Sequence, residues 1–82
     1  MKRIGVVGIV VTGGKDVVLE MQSVLSDFSD IIIGRMGVPR SEGNAIALIV
    51  EGATERVSAL TGRLGKFPSL TVKSAMTSFE VE

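Results

Sequence analysis

The sequence lacks the side chains that most often carry out chemistry in proteins. Its 82 residues include no cysteine, histidine, tryptophan or tyrosine, and three phenylalanines are the only aromatic residues. The absence of cysteine excludes disulfides and thiolate sites, and the absence of histidine removes the commonest transition-metal ligand and general base. We therefore expect no catalytic residue, no metal site and no cofactor.

An excess of charge of one sign is also missing, since nine basic residues balance nine acidic ones. A neutral chain with few aromatic residues offers neither the electrostatic footprint nor the stacking platforms that nucleic-acid binding requires. The apolar run at residues 4–11 is too short to span a bilayer and lacks the cleavage site of a signal peptide. We expect no direct nucleic-acid binding, no membrane association and a cytoplasmic location.

What the sequence does contain is an internal repeat. Displacing the chain by 39 residues against itself superimposes apolar positions and one turn glycine. The matching pairs include Val11 with Val50, Gly13 with Gly52, Val18 with Val57, Leu25 with Leu64 and Phe28 with Phe67. Two similar halves, roughly residues 4–36 and 44–77, are therefore predicted within a single domain that spans residues 1–82.

Each half is predicted to form a strand, a helix and a second strand. Residues 4–11 are β-favouring and end at the turn sequence "TGGK", after which Asp16 is the predicted N-cap of a helix. Apolar residues then follow at helical spacing, at Val17, Val18, Met21, Val24, Leu25 and Phe28. In the second half we predict that Thr54 caps the helix and that Gly65 ends it in the left-handed conformation.

Two such halves predict an α+β fold of the ferredoxin-like βαββαβ type. Its four-stranded antiparallel sheet carries both helices on one face, and right-handed crossovers give the strand order 4-1-3-2. In this arrangement each strand should alternate between apolar and polar residues, because only one sheet face meets the helices.

The first strand breaks that alternation, since it carries apolar residues on both of its sides. A monomer would expose an apolar patch larger than soluble monomers usually tolerate. We therefore predict a homo-oligomer, either a dimer or a tetramer, that associates through the sheet. Which face of the sheet forms the interface is left open. The candidate interface residues are Val7, Ile9, Val11, Ile32, Met36 and Ile49.

The glycines after the first strand are candidate ligand contacts. Gly13 and Gly14 precede a helix, whose first backbone N–H groups could bind a small anion. The sequence does not match a phosphate-binding P-loop, because Asp16 follows Lys15 where that motif requires serine or threonine. A purely structural turn from strand to helix explains the same glycines.

The stretch "IIIGRMGVPRSEGN" places two arginines between glycines near the middle of the chain. Arg35 follows an apolar run, so its guanidinium must reach water, a carboxylate in a subunit interface or a ligand. We place Arg40 on a solvated hairpin. Arg56 and Arg63 are seven residues apart and are expected on a solvated helix face without a special role.

The segments "RIGVVGIVV", "SDIIIGRMGVP" and "ALTGRLGKFPSLTVKSA" together resemble the regulators of iron-only hydrogenase systems. The resemblance covers nearly the whole chain and implies an ACT-like fold related to the C-terminal domain of the nickel-responsive regulator. It also implies oligomers and a small effector bound near Val11, Thr12, Gly13 and Gly14. The histidines, the cysteine and the separate DNA-binding domain of the nickel-responsive relatives have no counterpart here, so neither nickel sensing nor DNA binding carries over.

Three functional hypotheses follow. The first is a non-enzymatic, oligomeric ACT-like module that senses a small molecule or anion in an iron-only hydrogenase system and signals to a partner protein. The second is a structural or assembly module without a ligand. The third is a small enzyme on a ferredoxin-like scaffold, which the sequence supports least because it lacks the usual catalytic groups.

Overall fold

Four strands and two helices follow one another in the order βαββαβ in the computed structural model, which describes residues 1–82. The elements are β1 (Lys2–Val11), α1 (Lys15–Asp27), β2 (Ile32–Val38), β3 (Asn44–Gly52), α2 (Thr54–Leu64) and β4 (Leu70–Val81). All strand pairs are antiparallel and the sheet order is β2-β3-β1-β4. The predicted fold class and strand order are therefore confirmed.

The hydrophobic core lies between the two helices and one face of the sheet. On α2, Val57, Leu60 and Leu64 are buried at helical spacing, and Met21 and Leu25 do the same on α1. Strand residues of one parity complete the core, and its fourteen buried members form one connected cluster. The strand contribution to this cluster is Val7, Ile9, Val11, Leu48, Val50 and Leu70.

This burial corrects part of the predicted oligomer interface. Val7, Ile9 and Val11 have exposed fractions of 0%, 2% and 3%, because they point from the sheet into the helices of the same chain. The prediction that they contact another subunit is wrong. The opposite side of β1 carries Val6 and Val10, each 42% exposed, and this is the side that remains uncovered.

A β-bulge in β2 decides which side of the sheet its residues occupy. Ile32 pairs with Val50, but the next pair is Gly34 with Ile49, so that one extra residue is inserted. Beyond the bulge the alternation is reset. Ile32 therefore packs against the core, whereas Met36 lies on the opposite side of the sheet and is 64% exposed. Ile32, also a predicted interface residue, thus lies on the helix side of the sheet, where it is half-buried.

The helix ends also differ from the predictions. Gly14 and Ala53 are the N-caps of α1 and α2, rather than Asp16 and Thr54. Gly65 has φ −67° and ψ −12°, which is right-handed. The reason is visible in the backbone: the N–H groups of Lys66 and Phe67 donate to carbonyls three residues earlier, so the coil continues past α2 and needs no left-handed residue.

We predict that Leu60→Ala lowers the free energy of unfolding by about 2–5 kcal/mol, because Leu60 is fully buried and its truncation leaves a cavity. Leu19→Ala is the matched control, since Leu19 is 69% exposed on α1 and its loss should change stability by about 0.5 kcal/mol or less. Urea unfolding followed by circular dichroism measures both. Similar effects of the two substitutions would contradict the assignment of the core.

Candidate functional site

The sheet has an open face, which we define as the side turned away from the helices. Nine large hydrophobic residues of the chain are exposed, and six of them lie on this side of three adjacent strands. They are Val6 and Val10 of β1, Ile33, Met36 and Val38 of β2, and Ile49 of β3. Met36 and Ile49, two of the predicted interface residues, therefore share this surface.

Small residues fill the space between these apolar side chains. Ala45 and Ala47 of β3 point to the open face between β1 and β2, where Ala47 pairs with Gly8 on one side and Met36 on the other. Because alanine and glycine side chains protrude little from the sheet, another apolar surface can approach the strands closely here. The open face is thus largely apolar across β1, β2 and β3, and it also carries Glu51 opposite Ile4 and Lys73 opposite Gly8.

The turn after β1 is held by contacts within the chain. The backbone N–H and the hydroxyl of Thr12 both donate to the carbonyl of Ser69, at 2.9 and 3.0 Å. A Cβ atom at Gly13 would lie 2.6 Å from Cγ2 of Val17, so this glycine permits close packing of the turn on α1. These contacts account for both residues without a ligand.

Gly14 differs from its neighbour. It is the extended N-cap of α1, it makes no side-chain capping bond, and a Cβ atom there would meet nothing within 4 Å. The first N–H groups of α1 consequently lack a side-chain acceptor from the cap residue, and the approach to Gly14 is open. Of the three predicted ligand residues in the turn, Gly14 has the geometry that suits an external anion.

Arg40, rather than Arg35, lies beside this turn. The hairpin between β2 and β3 folds back so that Arg40 and Asn44 line a cavity of about 160 Å³ together with Thr12 and Gly13. The side-chain oxygen of Asn44 accepts a hydrogen bond of 3.4 Å from the Arg40 backbone N–H. The sequence placed Arg40 on a solvated hairpin, and only the fold reveals its neighbours.

Arg35 lies in a separate groove between α1 and β2. The bulge turns its side chain to the helix side, where its Nη1 donates to Oε1 of Gln22 at 2.8 Å. No cavity of the structure is lined both by Arg35 and by the residues 12–14 of the turn. The predicted ligand residues are therefore divided between two places.

A cluster of charges that the sequence did not predict joins the end of α1 to α2. Arg56 donates to both carboxylate oxygens of Asp30 and to the carbonyl of Asp27, and its guanidinium lies 4.1 Å from the centre of the Phe28 ring. Arg63 pairs with the Asp27 carboxylate at 2.9 Å. The seven-residue spacing of the arginines places them on one helix face, but their partners come from the other half of the chain.

The hydrogen bonds from Arg56 lower the pKa of Asp30 below its usual value. A carboxylate with a depressed pKa stabilises the folded state above the pKa of the unfolded aspartate, and this contribution is lost as the pH falls through the folded pKa. Because the pair is exposed to solvent, its contribution to stability is small. The cluster is explained as a connection between the two helices.

The rest of the chain offers few groups for other chemistry. No polar or charged residue is buried, and no group of three or more acidic, histidine or cysteine side chains is placed to hold a metal ion. Neither helix is both long and apolar enough to cross a membrane. The open face, the turn at Gly14 and the Arg35 groove are the candidate functional surfaces.

Comparison with known proteins assigns a family. Residues 3–74 match the protein-family model TM1266-like, described as "Iron-only hydrogenase system regulator, putative". No curated protein sequence matches the chain. Among solved structures, the uncharacterized protein TM1266 from Thermotoga maritima is similar, with a TM-score of 0.88 and 29% identity over 95% of this chain and all of that one.

Two further structures are similar in fold at low sequence identity. The ACT domain from the GTP pyrophosphokinase of Chlorobium tepidum has a TM-score of 0.71 at 16% identity, covering 95% of this chain and 89% of that one. An AsnC family transcriptional regulator from Agrobacterium tumefaciens has a TM-score of 0.55 at 14% identity, covering 99% of this chain and 54% of that one. The expected ACT-like fold is confirmed.

Gly13 and Gly14 should respond differently to the same substitution. We predict that Gly13→Ala lowers the melting temperature, because its Cβ would collide with Val17, while Gly14→Ala leaves it nearly unchanged, because its surroundings are open. Thermal unfolding of both variants checks this. A tolerated Gly13→Ala, with Gly14→Ala destabilising, would contradict the described packing of the turn.

Proposed function

Because the chain belongs to the TM1266-like family of iron-only hydrogenase system regulators, we propose that it acts there as a non-enzymatic, oligomeric regulatory module that senses a small molecule or anion and signals to a partner protein. The open face carries this proposal. A regulatory module needs a surface through which it transmits a change of state, and the open face carries six of the nine exposed large hydrophobic residues of the chain.

The proposed occupant of the open face is a second copy of the chain. Its six large apolar residues are between 38% and 64% exposed, and contiguous apolar patches of this kind mark interaction sites. A stable interface typically buries about 800 Å² on each partner, which is a modest part of the 5192 Å² that the chain exposes. Two such faces can stack as the layers of a β-sandwich do, at about 10 Å separation. This gives a dimer, and pairs of dimers give the tetramer.

The proposed effector site is the turn after β1. The uncapped N-terminus of α1 presents free N–H groups at Gly14, and such helix ends favour negative charge. Arg40 and Glu42 of the hairpin line the cavity beside Thr12 and Gly13, and we assign Arg40 as the cation of the site. The bonds from Thr12 to Ser69 hold the turn in shape. A small anion bridging the turn and the β2–β3 hairpin would stabilise the position of that hairpin, which continues directly into two strands of the open face.

The remaining parts of the proposal concern organisation and location. A single domain over residues 1–82 is supported by the one connected core, to which both halves of the repeat contribute. The absence of histidine and cysteine and the pairing of Asp27 and Asp30 with arginines support a non-enzymatic role. A cytoplasmic location rests on the sequence alone.

An assembly module without a ligand is the second candidate. The observation that favours it is the turn itself, because Thr12 and Gly13 are fully explained by their contacts with Ser69 and Val17. This candidate shares the interface at the open face with the first one. The two candidates differ in whether binding of an anion changes the stability of the protein.

Ile49→Glu should convert the oligomer to a monomer, because a charge in the middle of the apolar open face would be buried without a partner. Leu19→Glu is the matched control, since Leu19 is an exposed apolar residue on α1, outside the open face. Sedimentation velocity at micromolar concentration measures the mass of all three proteins. A monomeric wild type, or oligomers that tolerate Ile49→Glu, would contradict the proposed interface.

Anions that bind the turn should raise the stability of the wild-type protein by about 2.7 kcal/mol at about a hundred times their Kd. Differential scanning fluorimetry with phosphate, sulfate and nucleotides measures this effect. Since such salts also stabilise folded proteins non-specifically, the readout is the difference between Arg40→Gln, which should lose the effect, and Lys66→Gln, which removes a charge elsewhere. Equal responses of both variants, with the oligomer intact, would favour the assembly module.

A further inference from the structure

We propose that the groove between α1 and β2 is a binding site for a small monocarboxylate, with Arg35 and Gln22 as the contacts of its carboxylate. This groove is distinct from the turn at Gly14 that the proposed function uses for anion sensing. The proposal deepens the sensing part of that function by naming a second site and a ligand class. It does not depend on the oligomer.

The groove brings together donors from two elements that the sequence does not connect. Gln22 and Ser26 lie four residues apart on one side of α1, and Ser29 lies in the turn after the helix ends at Asp27. Arg35 faces them from β2 because the bulge has turned it to the helix side. Together with Leu25 and Ile32 these residues line a cavity of about 220 Å³.

The bond between Arg35 and Gln22 leaves donor groups of both side chains without a partner. A guanidinium has only donors, so the 2.8 Å contact requires that the oxygen of the Gln22 amide faces Arg35. The NH₂ group of the same amide is then directed away from Arg35 and has no acceptor in the protein. The remaining guanidinium N–H groups also have no acceptor, and the serine hydroxyls are free to donate as well.

The charge of Arg35 is not neutralised within the chain. Arg3, Arg56 and Arg63 each pair with a carboxylate, whereas the side-chain partner of Arg35 is a neutral amide. The acidic residues closest in sequence to the groove are engaged elsewhere, because Asp27 and Asp30 bind the arginines of α2. The groove therefore combines one unneutralised cation with several donors, which is the arrangement that a carboxylate requires.

The repeat shows that this pair is not needed to build the fold. The displacement of 39 residues places Thr61 at the position of Gln22 and Ser74 at that of Arg35, and both line the corresponding groove between α2 and β4. Lys73 also borders that groove, but its pairing with Gly8 places its side chain on the side of the sheet that carries Val6 and Val10. The groove between α2 and β4 thus forms without an arginine bound to a glutamine. The packing of helix on strand therefore does not require the Arg35–Gln22 pair.

The size and lining of the groove suit a small monoanion. The cavity of about 220 Å³ is open to solvent and has room for a short-chain carboxylate. A single guanidinium balances one negative charge and leaves a dianion under-compensated. Leu25 and Ile32 provide an apolar wall for a short alkyl chain.

The chain carries its own reporter for this site. Gln22 is the only glutamine of the sequence and Asn44 is the only asparagine, so the side-chain NH₂ region of a ¹H–¹⁵N spectrum contains two pairs of signals. The Gln22 pair reports on the Arg35 groove, and the Asn44 pair reports on the turn beside Arg40 and on the far end of a cavity that Asn44 shares with Gln22 and Arg35. Titration of the ¹⁵N-labelled protein with sodium butyrate, at constant ionic strength set with sodium chloride, should move the Gln22 pair to saturation and further than the Asn44 pair.

Three substitutions make the test specific. Arg35→Gln should weaken butyrate binding by about tenfold or more, since it removes a charge-assisted contact. Gln22→Glu should do the same although the arginine remains, because the new carboxylate would occupy it. Lys66→Gln is the matched control, because Lys66 lines neither the groove nor the turn, and its loss should leave the affinity unchanged.

The outcomes separate this site from the proposed function. The proposal is overturned if butyrate produces no saturable shift of the Gln22 signals, if Arg35→Gln binds as well as the wild type, or if sulfate competes as strongly as butyrate. Saturation at Asn44 alone would support the turn as the effector site and reject the groove. If the oligomer is lost in Ile49→Glu but retained in Arg35→Gln, the proposed interface at the open face holds even when the groove does not bind butyrate.

Discussion

Two helices of 13 and 11 residues cover one face of a four-stranded sheet, and this unequal coverage governs the rest of the structure. Strand residues that point to the helices are buried, and equally apolar residues on the other side are exposed. In β1 the two sets interleave residue by residue. The same strand therefore contributes one side to the core and the other side to the open face. Because β1 is hydrogen-bonded to β3 and β4, a one-residue shift of its register would exchange the two sides.

The bulge in β2 is the second feature that shapes the candidate sites. By inserting one residue opposite Ile49, it turns Arg35 to the helix side and Met36 to the open face. Without it, the alternation from Ile32 would direct Met36 toward the helices and Arg35 to the open face, where a charge would interrupt the apolar surface. One extra residue thus separates the cation from the surface proposed for self-association, and places it against Gln22.

The two halves of the repeat share a core but differ in their surfaces. Equivalent positions such as Leu25 and Leu64 are buried in both, because both helices must pack on the same sheet face. The surface positions carry different groups: Arg35 and Gln22 in the first half, Ser74 and Thr61 in the second. Membership of a regulator family, an apolar open face and a groove with an unneutralised arginine are consistent with a module that acts by binding rather than by catalysis.

The helices, the strands and their order could be predicted from the amino-acid sequence. Strand and helix periodicity, the repeat and the turn glycines were sufficient for the βαββαβ fold and the strand order, because these patterns depend on local conformation and on handedness rules that hold across proteins. The apolar excess in β1 was also visible, and it led to the prediction of an uncovered sheet face. The apolar residues of β1 could not be assigned to the core or to the open face. Periodicity separates the two sides of a strand but does not indicate which side the helices cover.

The positions of the functional side chains depend on contacts between distant parts of the chain. It buried Val7, Ile9 and Val11 and left Val6 and Val10 exposed, since the helices pack on one particular side of β1. The turn at Gly13 and Gly14 gained Arg40 as its neighbour from a hairpin remote in sequence, while a one-residue bulge moved Arg35 to Gln22. Contacts between segments distant in the chain leave no local pattern, and so the positions of these arginines followed from the fold alone.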